Sequence, residues 1–238
     1  MRPPNTWRAR RRAALPRRRR LFLPLAVGRP GGGLRVLSRV KDDVARLGRV
    51  LGARGYRRGV MPRDMSAAEL RESLDRWLTQ ARLGPKDDLV VYYTGHGHVA
   101  EGEHYLCMAG FDPDRVASTG FKTSDLIDLI LRRRYRPGKL WLILDCCQAG
   151  AALTGALLRG VDTSSTATFI LAASASWGAA TDGAFARELE DAVGPDAGRT
   201  ETRLSLGDVT ERVNARRRLH AAVSASLATK RFDLLDRP

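Results

Sequence analysis

The sequence predicts an α/β domain built on an open parallel sheet covered by helices on both faces. Three observations carry that expectation. Leu89–Tyr93, Leu140–Leu144 and Phe169–Ala173 are continuous apolar runs, as strands buried on both faces require. Amphipathic stretches of helical period alternate with them. The chain has 238 residues, 43% of them hydrophobic, enough for one domain to bury a core without disulfide staples.

The elements follow in order. Leu21–Val27 reads as a strand and Arg29–Gly33 as a Gly/Pro loop. A helical pattern through Val44, Leu47, Val50 and Leu51 stops near Gly55. Ser66 with Glu69 forms a capping box that opens a second helix through Leu70, Leu74, Trp77 and Leu78, broken at Gly84-Pro85. After the Leu89–Tyr93 strand come a short strand at His104–Met108, a helix over Thr123–Arg134 and the Leu140–Leu144 strand. The Phe169–Ala173 strand precedes a helix through Phe185, Leu189 and Val193, a polar loop at Gly194–Thr202 and a last helix at Val209–Leu219. No internal repeat is visible, which excludes solenoids and propellers.

The formal net charge is +15, but nine arginines and no acid lie within Met1–Arg20, leaving +6 for the other 218 residues. The expectation is an arginine-rich, disordered tail over residues 1–20, able to touch nucleic acid non-specifically, and a single domain over 21–238. The apolar stretch after Arg20 contains Pro24, ends at Arg29 and lacks a small-residue cleavage site, unlike an export signal. The apolar runs are too short to span a bilayer. Three cysteines, an odd number, form no disulfide framework, so the expected location is a reducing one, the cytoplasm.

In open α/β sheets the chemistry gathers beyond the carboxyl ends of the strands. Two such ends carry reactive residues: Thr94-Gly95-His96-Gly97-His98 and Asp145-Cys146-Cys147-Gln148-Ala149-Gly150. If the two strands are neighbours, a histidine and a cysteine project from one edge of the sheet. A thiolate is a competent nucleophile, and an imidazole beside it can activate it and later protonate a leaving amine.

Val90–Gly97 resembles the histidine block of the caspase and metacaspase clan, and Leu142–Gly150 its cysteine block in the Asp-x-Cys-x-x-Gly form. The two are 51 residues apart from His96 to Cys147, close to the roughly 50 of caspases. Arg20–Gly28, Lys41–Tyr56 with Asp42-Asp43, Phe169–Ser176 and Phe232–Pro238 are similar to flanking parts of the family. The resemblance implies a caspase-like three-layer sandwich with a mostly parallel central sheet, and a thiol protease active in proteolysis. It implies Cys147 as nucleophile, His96 as general base and acid, and the N–H groups of Gly97 and Cys147 as oxyanion hole. Asp145 would lie in the pocket for the residue before the cleaved bond, with Asp43 as a further wall and Ser174 at a strand end facing substrate. An acidic pocket selects Arg or Lys, as in metacaspases. Protein or peptide substrates are implied, and, since prokaryotic relatives commonly serve as effectors in signalling or defence, a regulatory partner. No cofactor is expected. Trp177–Gly183 departs from the family's glutamine and acid, and no acidic cluster stands out as a calcium site, which leaves calcium dependence open.

Other readings compete. Cys146 could be the nucleophile, but alternation along a strand puts it on the other side, in the core with Cys107. His98 and His104 read as loop and surface residues. A zinc site of His96, His98, Cys146 and Cys147 matches no standard spacing. Asp145 could cap a helix starting near Cys147. Arg132–Arg134 and Arg216–Arg218 read as solvated helix ends. At the level of the whole protein, the alternatives are an inactive caspase-fold adaptor, against which the intact His96/Cys147 pair speaks, and an arginine-rich nucleic-acid binder.

Overall fold

The structure, a computed structural model, describes residues 18–131, 136–158, 166–174, 183–194, 205–215 and 221–226. The expectations for the rest of the tail, for Arg132–Arg134, for Trp177–Asp182, for most of Gly194–Thr202, for Arg216–Arg218 and for Phe232–Pro238 lie outside them.

The chain alternates strands and helices in the order β1 (Arg20–Ala26), α1 (Val40–Gly52), β2 (Arg57–Arg58), α2 (Ala67–Ala81), β3 (Asp88–Thr94), β4 (His96–Ala100), β5 (Glu103–Cys107), α3 (Val116–Thr119) and β6 (Gly120–Lys122). It continues with α4 (Thr123–Leu131), β7 (Lys139–Asp145), α5 (Ala151–Leu158), β8 (Ala167–Ala172), α6 (Ala184–Val193), α7 (Leu206–Asn214) and β9 (Val223–Ser226). Six strands form one sheet in the order β2-β1-β3-β7-β8-β9, parallel except for β9.

Both faces of that sheet are covered, which is why its strands read as unbroken apolar runs. Leu23, Val91, Tyr93, Leu142 and Ile170 pack with Leu70, Leu74 and Leu78 of α2 and with Leu126, Ile127 and Ile130 of α4. Phe22, Val90, Tyr92, Trp141, Ile143 and Phe169 face the other way, onto Val44 and Leu47 of α1, Phe185 and Leu189 of α6 and Val209 of α7. The three-layer sandwich follows directly.

Local signals hold where expected. Ser66 and Glu69 form the reciprocal capping box of α2. That helix ends before Gly84-Pro85, with Arg82 in the left-handed conformation (φ 43°) and its N–H bonded to Leu78 O. Four strands are additions to the expectation: the two-residue β2, the edge strand β9, and β4 and β6, which flank β5 in a small antiparallel sheet.

The arginine segment is not all tail. Arg20 opens β1, and the two residues before it are fastened to the start of β3. Arg18 Nε donates to Asp88 Oδ2 (2.9 Å) and Arg19 Nε to Asp87 Oδ2 (3.1 Å). Arg19 also donates to the carbonyls of Ala81 and Arg82, satisfying the open C-terminus of α2. No helix among the described residues is long and apolar enough to cross a membrane.

Candidate active site

β3 and β7 are adjacent, parallel and in register to their last residues, Thr94 opposite Asp145. The segments that follow them are therefore thrown together at one edge of the sheet. After Thr94 the chain turns through Gly95 into β4. A Cβ at Gly95 would lie 2.5 Å from the Tyr93 hydroxyl, so only glycine fits there. That hydroxyl shares its one proton between the carbonyls of His96 (2.7 Å) and Cys107 (3.1 Å), fixing the backbone that carries His96.

The His96 ring is half-buried, and its Nε2 lies 2.8 Å from the carbonyl of Arg35. A carbonyl only accepts, so Nε2 carries the proton and, in the neutral ring, Nδ1 is left basic. Arg35 belongs to a loop whose ends are tied by Leu37 N–H to Gly28 O (2.8 Å), and Asp64 accepts from the N–H groups of Gly28 and Arg29.

Beyond β7 the three polar residues separate as strand alternation demands. Asp145 is 6% exposed and turns to the α1 face, where the Tyr92 hydroxyl donates to its Oδ2 (2.8 Å). Asp43 of α1, 3% exposed, is close enough that its charge and that of Asp145 both act on Tyr92. Burial, then those two carboxylates, hold the Tyr92 hydroxyl well above its usual pKa, so it stays a donor. Cys146 points into the opposite core layer at 1% exposure, while Cys147 is half-exposed. Burial, then neighbouring Asp145, pushes the Cys146 thiol up, and burial pushes that of Cys107 to about 12. Both are inert thiols.

The turn after the strand has its own supports. Gln148 adopts a left-handed conformation (φ 56°), Gly150 N–H donates to Ser174 O (2.9 Å), and the Ser174 hydroxyl donates to Cys146 O (3.2 Å). Ser174 is fully buried, so its side chain braces the cysteine turn and does not line a surface. The helix that follows, α5, begins at Ala151, six positions beyond Asp145, whose side chain bonds Tyr92; the helix-cap reading of Asp145 is therefore wrong.

Gly97 and Cys147 come into direct contact. A Cβ on Gly97 would lie 2.3 Å from Cys147 O, 2.7 Å from His104 Nε2 and 3.1 Å from Cys146 Sγ. His104 is thus no surface residue. It is 2% exposed, its Nδ1 lies 2.8 Å from Thr123 Oγ1, and its Nε2 lies 3.4 Å from Cys147 O and 3.7 Å from Cys146 Sγ. His98 is half-buried against the ring of Phe111, with centroids 5.7 Å apart. Among the described residues no three His, Cys, Asp or Glu side chains converge as a metal-binding group.

Sequence reasoning missed Tyr92, Tyr93 and His104. Their strands were read as plain core, and the available signal was polar atoms on residues that burial obliges to find partners.

A family model described as the caspase domain matches residues 31–229. The chain belongs to the caspase domain family. Among solved structures, this caspase domain resembles a protein of Geobacter sulfurreducens at 14% identity and a TM-score of 0.62, covering 89% of this chain and 94% of that one. It also resembles the Drosophila initiator caspase Dronc at 10% identity and a TM-score of 0.61, covering 86% of this chain and 78% of that one. At such identities these likenesses show the shared fold. No curated protein sequence matches the chain.

Proposed function

We propose that this caspase domain is a cysteine endopeptidase that cleaves proteins or peptides after Arg or Lys through an acyl-enzyme on Cys147. The observation that carries the reading is the division of labour among the cysteines: Cys107 and Cys146 are buried thiols with raised pKa, while Cys147 reaches solvent, and its backbone lies against Gly97, the residue after a histidine whose ring is oriented by Arg35 O.

His96 Nδ1 takes the thiol proton, and the Cys147 sulfur attacks the scissile carbonyl carbon. The oxyanion that develops is held by the N–H groups of Gly97 and Cys147, donors that need no reorganisation. His96 returns the proton to the departing amine as the C–N bond breaks, leaving a thioester. Water then attacks the thioester, giving its proton to His96, and the acid product and free thiol are released. Asp145 and Asp43 are themselves buried, at 6% and 3% exposure, so their negative charge acts from beneath the pocket on the guanidinium or ammonium of the residue before the cleaved bond. The other His–Cys pair, His104 with Cys146, is closed to substrate by its burial.

The test uses purified protein with fluorogenic peptides ending in Arg, Lys or Asp, with and without calcium. Hydrolysis of the Arg and Lys peptides is expected, lost in Cys147→Ala and largely kept in Cys146→Ala. Preference for Asp, or the two cysteine phenotypes exchanged, would overturn the corresponding assignment. An inert wild type on every peptide would favour a binding role.

A further inference from the structure

We propose that His104 is a positioning residue of the nucleophile turn: a neutral imidazole that Thr123 holds in one tautomer so that its Nε2–H grips the Cys147 carbonyl. The proposal rests on Cys147 being the nucleophile. His104 lies on β5, away from both motifs, and no step of the hydrolysis uses it.

The tautomer follows from the partners. Nε2 faces a carbonyl oxygen, which accepts only, at 3.4 Å, and the Cys146 sulfur at 3.7 Å. A lone pair on Nε2 would face the lone pairs of that oxygen, so the proton belongs on Nε2. Nδ1 then accepts, and the Thr123 hydroxyl, 2.8 Å away, donates to it. Thr123 is the first residue of α4, directly after β6. A chain of hydroxyl, imidazole and carbonyl therefore runs from the small sheet and α4 to the end of β7. Burial, only partly offset by the bond to the Cys147 carbonyl, lowers the His104 pKa to about 4, so the ring is uncharged at neutral pH.

The surroundings leave the ring no other task. It is 2% exposed, too buried to meet a substrate. Its Nε2 would lie 2.7 Å from a Cβ on Gly97, so the imidazole, the glycine and the cysteine backbone are packed as one unit. Holding the Cys147 carbonyl fixes the peptide plane between Cys147 and Gln148, one of the two planes that meet at the Cα bearing the Cys147 side chain.

Two substitutions separate the halves of the imidazole. His104→Asn places an amide near the Nδ1 position, keeping Thr123 in reach and losing Cys147 O. His104→Gln places an N–H near the Nε2 position and keeps the grip. Three readouts are needed: kcat and KM on an Arg peptide, the pH profile of iodoacetamide alkylation at Cys147 followed by mass spectrometry, and the melting temperature. For His104→Asn, kcat is expected to fall by up to about 10²-fold with KM little changed, the scale of an ångström-sized misplacement. Its alkylation profile should differ from that of the wild type. His104→Gln should recover most of the loss, and Thr123→Val should fall between the two. Equal losses in the Asn and Gln variants that track their melting temperatures would overturn the proposal, as would a wild-type alkylation profile in His104→Asn. A wild type that alkylates selectively at Cys147 yet cleaves no peptide would defeat the peptidase reading alone, since the alkylation series still reads the grip.

Discussion

Gly97→Ala tests the contact on which the site is built. The added methyl would meet Cys147 O at 2.3 Å, with His104 Nε2 at 2.7 Å and Cys146 Sγ at 3.1 Å behind it. Two of these are backbone or ring atoms held from several sides, so none can swing away as a surface side chain would. To open the first contact even to 3.0 Å, the carbonyl must retreat by about 0.7 Å, and the turn must move with it. Overpacking of this kind costs about 1–3 kcal/mol of stability, or roughly 2–4 °C of melting temperature for each kcal/mol in a domain of this size. Displacing the nucleophile by a similar distance costs on the order of 10²-fold in rate, equivalent to about 2.7 kcal/mol on the barrier. The assay is hydrolysis of an Arg peptide, normalised by the fraction of Cys147 that alkylates, beside a thermal melt. Gly52→Ala is the control. Its new Cβ meets nothing within 4 Å at the end of α1, so it should leave activity unchanged and gain up to about 1 kcal/mol. Wild-type activity in Gly97→Ala, or an equal loss in Gly52→Ala, would refute the reasoning.

Asp145→Asn keeps an acceptor for Tyr92 but removes a buried charge, and should cost Arg peptides about 3 kcal/mol, over a hundredfold in kcat/KM, without a matching loss on a neutral peptide. Tyr92→Phe removes one bond to that carboxylate and should lower stability by about 1–2 kcal/mol, read by urea unfolding. Burial alone would raise the Asp87 pKa, but Arg19 and the N–H groups of Gly84 and Arg19 prevail and hold it below the usual 3.8. Its stabilisation is therefore present above that value and lost as pH falls through the lower folded value. Arg19→Ala should cost about 1.5–3 kcal/mol at neutral pH and shrink that acid-induced loss. His104 has the opposite charge type but the same sign of slope. Its pKa is about 4 folded against 6.5 unfolded, so the unfolded chain binds the extra proton between those values. Stability should be complete above pH 6.5 and fall by about 3 kcal/mol toward pH 4, a slope that His104→Gln should flatten in denaturant titrations across that range.

The central sheet was legible because burial on both faces leaves continuous apolar runs such as Leu89–Tyr93, Leu140–Leu144 and Phe169–Ala173. Helix α2 was legible through Ser66 and Glu69, whose reciprocal bonds are local in sequence. The small sheet was not. β4 is His-Gly-His-Val-Ala and half-buried throughout, so it shows neither alternation nor an apolar run, and its pairing with β5 is a tertiary fact. His104 misled for a related reason: β5 is buried over four of its five residues, so period two gave no warning that a histidine there points inward. Arg18 and Arg19 were assigned to a tail by charge density alone, although Asp87-Asp88 at the head of β3 offered them partners 68 and 70 residues away. Within the site, the opposite placement of Cys146 and Cys147 follows from strand alternation. The polar work of Tyr92 and Tyr93 does not, because it depends on which backbone atoms the neighbouring segments bring to their hydroxyls.

The pairing of β3 with β7 also governs when the site comes into being. Helices such as α2 close through bonds four residues apart and need little of the rest of the chain. The contact between Gly97 and Cys147 joins residues 50 positions apart, and the brace from Ser174 reaches the turn from a third strand, 28 positions beyond Cys146. Such non-local pairings come at the slow end of folding, after loop-closure entropy has been met. A chain emerging during synthesis therefore carries both the thiol and the imidazole for some time before they share an address. Because Ser174 bonds both Gly150 and Cys146, the turn that carries Cys147 has all of its supports only once β8 has joined the sheet.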